Sequence, residues 1–355
     1  MHDQVLSSSR RRSLMASGLA ACAAAVSGTA HASHHFELAA ARSNPKIGLT
    51  DMYVFNAPEG DRTVFILNAN FLPQPGGDLL DRSGLYNIHC AVDDSFKAGV
   101  TWTFGYDGRH VRFGQLDEAN GAVGKKGKEL AKLTLGKEAK LPNGIRVWVG
   151  KAKDPFFGNS PGIGAFRAQS KEGKYDPDVW VKASGKNIFA GRECCIFVLE
   201  VPNALLSKKI NVFSTVALNS HGSWHQVQYM ANVLIAHSML FEDEVLKAGY
   251  DASRPDTQKD FGNIFSARIA RSAHLAGSRP DPFAYGDEMA KRLLPDVMPY
   301  EVGTPAAYLV DKVNGRKLSD DAMTTTITWL IGKPTNQGVK DPVNYTSAFP
   351  YIMPV

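Results

Sequence analysis

Four short runs between residues 50 and 106 constrain this chain more than any other feature. Residues 51–55, 63–71, 85–92 and 100–106 are rich in β-branched and aromatic side chains, and clusters of Gly, Pro and Asp separate them. The pattern predicts an antiparallel sheet. In residues 63–71 one parity carries Phe65, Leu67, Ala69 and Phe71, and the other ends in Asn68 and Asn70. In residues 85–92 one parity carries Tyr86, Ile88, Cys90 and Val92, and the other carries Asn87 and His89. Alternate residues of a strand point to opposite faces, so each strand has an apolar side and a side of amides or imidazole. Two readings follow. The polar side is either plain wetted surface or a ligand surface lined by Asn68, Asn70, Asn87 and His89.

The N-terminus carries the clearest functional signal. Arg10-Arg11-Arg12-Ser13-Leu14-Met15 precedes an apolar run over residues 14–26, and Ala30-His31-Ala32 closes the segment. These are the parts of an export signal with a small-x-small cleavage site, here of twin-arginine type, over residues 1–32. The run is too short for a permanent membrane span. A second reading takes Leu19-Ala20-Ala21-Cys22 as a lipoprotein box, which would anchor the chain through a lipid on Cys22. Either way the mature protein, residues 33–355, is expected to be periplasmic or secreted, with no transmembrane helix. Twin-arginine export carries folded proteins, often loaded with a cofactor.

Net charge is +5; residues 1–32 take away three Arg and one Asp and leave +3. That is too weak for a nucleic-acid partner, and no basic stretch has interleaved aromatics. Lys125-Lys126-Gly127-Lys128 reads as a solvated loop. Cys90, Cys194 and Cys195 remain after cleavage, without a Cys-x-x-Cys motif for zinc or thioredoxin-type chemistry. Cys195 shares its parity with Phe197, Leu199 and Val201, so any bridge would join Cys90 to Cys195. Three buried thiols are the alternative.

Cleavage after Ala32 would expose Ser33-His34-His35-Phe36-Glu37. A free amine, two deprotonated amides and His35 then supply four nitrogens, the square-planar set that Cu(II) or Ni(II) prefers. A looser set of His34, His35, Glu37, Asp51, His89 and Asp154 would suit Zn, Cu or Ni. The plain reading of the histidines is a loose or strand-docked terminus.

Ser33-His34, followed by Thr50-Asp51-Met52-Tyr53-Val54-Phe55, resembles the opening of a secreted bacterial family catalogued as domain of unknown function 4331. Its members typically open with Ser-His-Arg-Glu-Ala-Pro and continue to Thr-Asp-Val-Tyr-Ala-Phe. The likeness continues at Asn70-Phe71-Leu72-Pro73, Tyr86-Asn87-Ile88-His89, Asp154-Pro155-Phe156-Phe157, Leu199-Glu200-Val201-Pro202, Asp320-Asp321 and Phe349-Pro350-Tyr351. The resemblance spans nearly the whole mature chain and implies no particular activity. Members commonly follow the Ile-His pair with a calcium-type loop. Here Asp93-Asp94-Ser95-Phe96-Lys97 lacks the alternating acids, so calcium is not expected there.

Further along, residues 128–139 fit either a helix or a solvated strand, and residues 145–150 a strand. Residues 157–164 are dense in Gly, Pro, Asn and Ser and read as an irregular loop. Residues 194–201 and 211–218 are apolar on both parities, which suits central strands. From Trp224 to Ala248 apolar residues recur at helical spacing, so one long helix is expected there. His237 reads as a rim residue, and His221 and His225 stand four apart near the start of the helix. Asp281-Pro282 and Asp320-Asp321 open two further helices, and Gly332 ends the last.

The expected fold is mixed but β-dominated. It has an antiparallel sandwich-like core over residues 33–222, a mainly helical part over 223–332 and an extended tail over 333–355. The expected function is an exported binding protein holding a metal ion or small ligand at the polar face of the sheet. A metal-dependent hydrolase or oxidase and a ligand-free structural domain are the alternatives.

Overall fold

The computed structural model describes residues 39–355 except 184, 185 and 242. Its strands, in chain order, begin with β1 Leu49–Asn56, β2 Arg62–Ala69, β3 Gly84–Ala91, β4 Gly99–Tyr106, β5 His110–Leu116 and β6 Lys128–Thr134. They continue with β7 Ala139–Lys140, β8 Arg146–Lys153, β9 Glu193–Pro202, β10 Lys209–Ser220, β11 Ser223–Met230 and β12 Met298–Glu301. A small ladder pairs β13 Ala307–Tyr308 with β14 Val313–Asn314.

The expected β-rich core is there, and its strands divide between two antiparallel sheets. Sheet A runs β1-β2-β9-β8-β7; sheet B runs β11-β10-β3-β4-β5-β6, with β12 also paired to β10. The four opening runs therefore do not share one sheet. β1 and β2 belong to sheet A, whereas β3 and β4 belong to sheet B. Met52, Val54, Phe65 and Leu67 from A pack with Tyr86, Ile88, Trp102 and Phe104 from B in one buried core. Each sheet thus hides one apolar parity between the layers and turns the other outward.

A bulge in β1 decides what sheet A shows. Leu49 pairs with Ala69 and Asp51 with Asn68, so Thr50 is the extra residue. Without it Leu49 and Asp51 would share a face. With it Leu49 and Met52 both enter the core and Asp51 turns outward.

The thiols follow the expected parity: Cys90 and Cys195 face the inter-sheet core and Cys194 the outer cluster of sheet A. All three are free and buried. Burial pushes the Cys90 thiol up to about 12.

The helices are α1 Ala39–Ser43, α2 Ser160–Lys171, α3 Val179–Lys182, α4 Ile235–Leu240, α5 Glu244–Asp251, α6 Gly262–Leu275, α7 Pro282–Leu293 and α8 Ala322–Ile331. Asp281 and Asp321 cap α7 and α8 as expected, each accepting from backbone N–H groups of the first turn. Gly332 closes α8 at φ 81°, a backbone state that disfavours other residues.

Two further expectations fail. The long helix over 224–248 is a strand, β11, followed by α4 and α5. Trp224, Gln226, Gln228 and Met230 alternate with His225, Val227 and Tyr229, and the hairpin with β10 pays for that choice through its ladder hydrogen bonds. Consequently His221 lies in the hairpin turn at φ 52°, and His225 lies on the strand. The supposed loop at 157–164 starts α2, where Asn159 accepts from the Gly162 N–H and Pro161 occupies the first turn. The open choice at 128–139 resolves as strand β6. Among the described residues no helix is long and apolar enough to cross a membrane.

Candidate functional site on the outer face of sheet B

The residues expected to converge are split between the two outer faces. On sheet A, Asp51, Asn68 and Asp154 are each buried beneath the C-terminal segment. Arg316 donates from Nη1 to Asp51 Oδ1 at 2.8 Å, and its guanidinium lies 4.1 Å from the Tyr53 ring centroid. Its backbone also bridges to Val54 in both directions. Asn68 donates to Asp154 Oδ1 at 3.4 Å, and the same oxygen accepts from the Phe156 N–H at 3.0 Å. Burial raises the Tyr53 phenol well above its ordinary value, with Arg316 opposing.

Asn344 donates to the Asp154 carbonyl, and Tyr351 and Ile352 join the outer apolar cluster, so the tail docks on the sheet. Among the described residues this face is covered: Arg316 is paired with Asp51, and the tail is held by Asn344 and the outer apolar cluster. Asn70 does something else again. It sits at φ 48° just after β2 and donates to the Leu79 carbonyl at 2.8 Å, which fixes a turn.

Asn87 and His89 sit on the outer face of sheet B, across the core from the other set. Thr101 Oγ1 donates to the Glu118 carbonyl at 2.7 Å, so it must accept from His89 Nδ1–H at 2.9 Å. His89 Nε2 is then an acceptor and takes the Thr215 hydroxyl at 2.9 Å, while Asn87 Nδ2 donates to Thr215 at 3.1 Å. Every proton in the row has one direction. Burial, reinforced by the Arg254 charge, pushes the His89 imidazole well below its ordinary value, so the ring is neutral. It stacks on Phe213 with centroids 4.5 Å apart. A neutral ring with both nitrogens engaged is a positioned element of the row rather than an open metal ligand.

The row leads into a cleft. Thr103, directly opposite Asn87 in the β3–β4 ladder, lines a cavity of about 290 Å3. Its lining includes Gly84, Gly105, Gly114 and Gly127, so much of it is side-chain-free backbone. A bulge in β6 lets Gly114 pair with Glu129 after Phe113 has paired with Ala131, which brings Glu129 to the rim.

The charged walls are Arg82, Arg112 and Lys126, with Asp107 and Glu129. Arg112 pairs with Glu129 at 3.1 Å and with Asp107 at 3.4 Å, and Arg82 pairs with Asp78 at 2.8 Å. Backbone N–H groups of His110 and Arg109 hold the Asp107 carboxyl below its usual range. Lys126 has no carboxylate partner among the described residues, and its ammonium lies 5.8 Å from the Trp224 ring centroid. Such a cleft offers a flat aromatic wall, a level floor and one uncompensated cation.

Of the expected metal set, Asp51, His89 and Asp154 do not meet, and His34, His35 and Glu37 lie outside the described residues. Among the described residues no group of three or more His, Cys, Asp or Glu could hold a metal ion. The sequence reading missed Arg82, Arg112, Gly105 and Trp224, and it took Lys126 for loop surface. Its one available signal is a glycine inside each of β4 and β5, beside one that opens β3, in strands whose interiors disfavour glycine.

Comparison of the chain with family models, curated proteins and solved structures gave no match. The site therefore speaks through its own geometry.

Proposed function

We propose that this chain is an exported binding protein that holds a small polar ligand in the cleft on sheet B. The ligand would lay a flat face on Trp224 and present an anionic group to Lys126. The observation that carries the reading is the level, glycine-rich cleft at the end of an ordered polar row, with Lys126 lacking a carboxylate partner. Its volume is near the lower end of those that hold small ligands. The twin-arginine segment supports action outside the cytoplasm, and the resemblance to the secreted family of unknown function points the same way.

Native mass spectrometry of protein purified from the exported fraction tests the proposal. A small-molecule adduct on the wild type that is lost on Trp224→Ala and on Lys126→Ala, with secondary structure intact, is the expected result. An adduct retained by both variants, or no adduct on the wild type, would overturn it.

A further inference from the structure

A second cavity, of about 530 Å3, lies beside α8 in the helical layer. Its polar lining is one-sided. Arg279 and Lys333 bring two positive charges, and no carboxylate lines the cavity. Neither cation has an ion pair among the described residues: Arg279 stacks on the Tyr285 ring at 4.4 Å, and Lys333 donates to the Ala276 carbonyl at 3.3 Å. The carbonyls closing α8 are already occupied, since Tyr285 donates to Trp329 and Ser278 to Ile331. The cations are therefore not needed to satisfy that helix end.

The other polar groups are largely committed. Thr328 donates to the Thr335 carbonyl, and Thr335 donates to that of Lys333. Asn336 Oδ1 accepts from the Gly338 N–H at 2.7 Å, which leaves its Nδ2 as a donor. The groups left to meet a ligand are thus a guanidinium, an ammonium and an amide N–H, all donors. Gly332 makes the arrangement possible. A Cβ there would lie 3.0 Å from the Tyr285 ring and 3.1 Å from Arg279 Cγ, and its φ of 81° turns the chain directly into Lys333. Val310 and Pro334 complete an apolar wall.

We propose that this cavity binds a phosphate monoester. The dianionic group would sit between Arg279 and Lys333, where Arg supplies a planar fork and Lys a point charge. The organic part would lie against Tyr285, Val310 and Pro334.

Isothermal titration of the full mature chain with phenyl phosphate, inorganic phosphate and phenol tests this. Phenyl phosphate binds more tightly than inorganic phosphate, and phenol does not bind. Arg279→Gln and Lys333→Gln, both on accessible side chains, each weaken phenyl phosphate about tenfold or more, as loss of a charge-assisted contact requires. Lys126→Ala, in the sheet B cleft, leaves the part of the binding that depends on Arg279 and Lys333 unchanged, so this site and the ligand cleft fail or succeed separately. Co-sedimentation with phosphatidylcholine vesicles containing phosphatidate, competed by phenyl phosphate, would assign the same headgroup to a lipid. Binding of phenyl phosphate without vesicle binding would assign it to a soluble ester. No heat with phenyl phosphate, or equal affinity in wild type and both Gln variants, overturns the proposal.

Discussion

Gly105→Val separates the ligand role of the sheet B cleft from its structural role. Gly105 lines the cleft from within β4, and a Cβ built there meets nothing closer than Leu85 Cδ1 at 3.9 Å. Its backbone lies in β4 and outside the left-handed region, so a residue with a Cβ is not strained there. Glycine in a strand interior is worse than a residue with a side chain by roughly 0.5–1 kcal/mol, through lost chain entropy and missing cross-strand contact. Filling the position should therefore leave stability unchanged or raise it, by an increment worth about 1–2 °C in melting temperature for a domain of this size.

The same isopropyl group would stand on the cleft floor where the ligand is proposed to lie. Gly114 offers the contrast. A Cβ there lies 2.8 Å from Thr103 Oγ1 and 3.1 Å from the Gly127 and Lys128 carbonyls, so Gly114→Val should disturb the sheet. Thermal unfolding gives the stability of both variants, and native mass spectrometry gives their ligand occupancy. Of the five tryptophans, Trp102, Trp148, Trp180 and Trp329 are buried and Trp224 is half-buried, so a change in accessible tryptophan emission reports on the cleft. A Gly105→Val protein as stable as the wild type with undiminished ligand occupancy would refute the cleft assignment. Loss of roughly 2 kcal/mol or more would refute the account of the strand.

The remaining predictions concern three buried polar networks. Arg316→Met leaves the Asp51 carboxylate buried without its guanidinium, so urea unfolding should show a loss of about 3–5 kcal/mol. The Asp51→Leu/Arg316→Met double variant should recover part of it, and strictly additive losses would argue against a direct pair. Burial raises the Asp296 carboxyl to about 6, against the Asn232 and Tyr250 hydrogen bonds that lower it. The folded state then binds this proton more tightly than the unfolded state does. Its contribution is fully present below the unfolded value of 3.8 and is lost as pH rises through about 6, a span worth about 3 kcal/mol. Asp296→Asn should flatten that part of the stability–pH curve, and a variant with the wild-type slope would exclude Asp296 as its source. Nitrogen-15 spectra should show His89 protonated at Nδ1 only, with no titration in the usual imidazole range; an Nε2–H signal would break the proton order assigned to the row.

Much of the architecture was legible because its signals are local. The strand runs, the Asp281-Pro282 cap and the Gly332 stop depend on neighbouring residues alone. The helix expected at 224–248 failed because Val227, Met230, Ala231 and Leu234 satisfy a helical period by coincidence. The segment folds as a strand to pair with β10, and Leu234 then adopts φ 68°, breaking the chain before α4. Periodicity within a window carries no information about a ladder partner supplied from outside it.

The candidate site was half legible for a more specific reason. Alternation correctly assigned Asn68, Asn87 and His89 to outward faces, but alternation is the same for every strand and does not say which sheet a strand joins. Two sheets packed face to face have two outer surfaces, so a list of outward polar residues divides between them. The division also explains why one half is sealed structure while the other lies beside a cleft. Over sheet A, the segment before α8 brings Arg316 to Asp51 and the tail packs beside it, and residues sealed from water must satisfy one another. Over sheet B, part of the outer face remains open where four strands contribute Leu85, Gly105, Arg112 and Glu129. A polar row that ends at such an opening can exchange a water for a ligand without unfolding anything, whereas the Asp51–Arg316 network cannot.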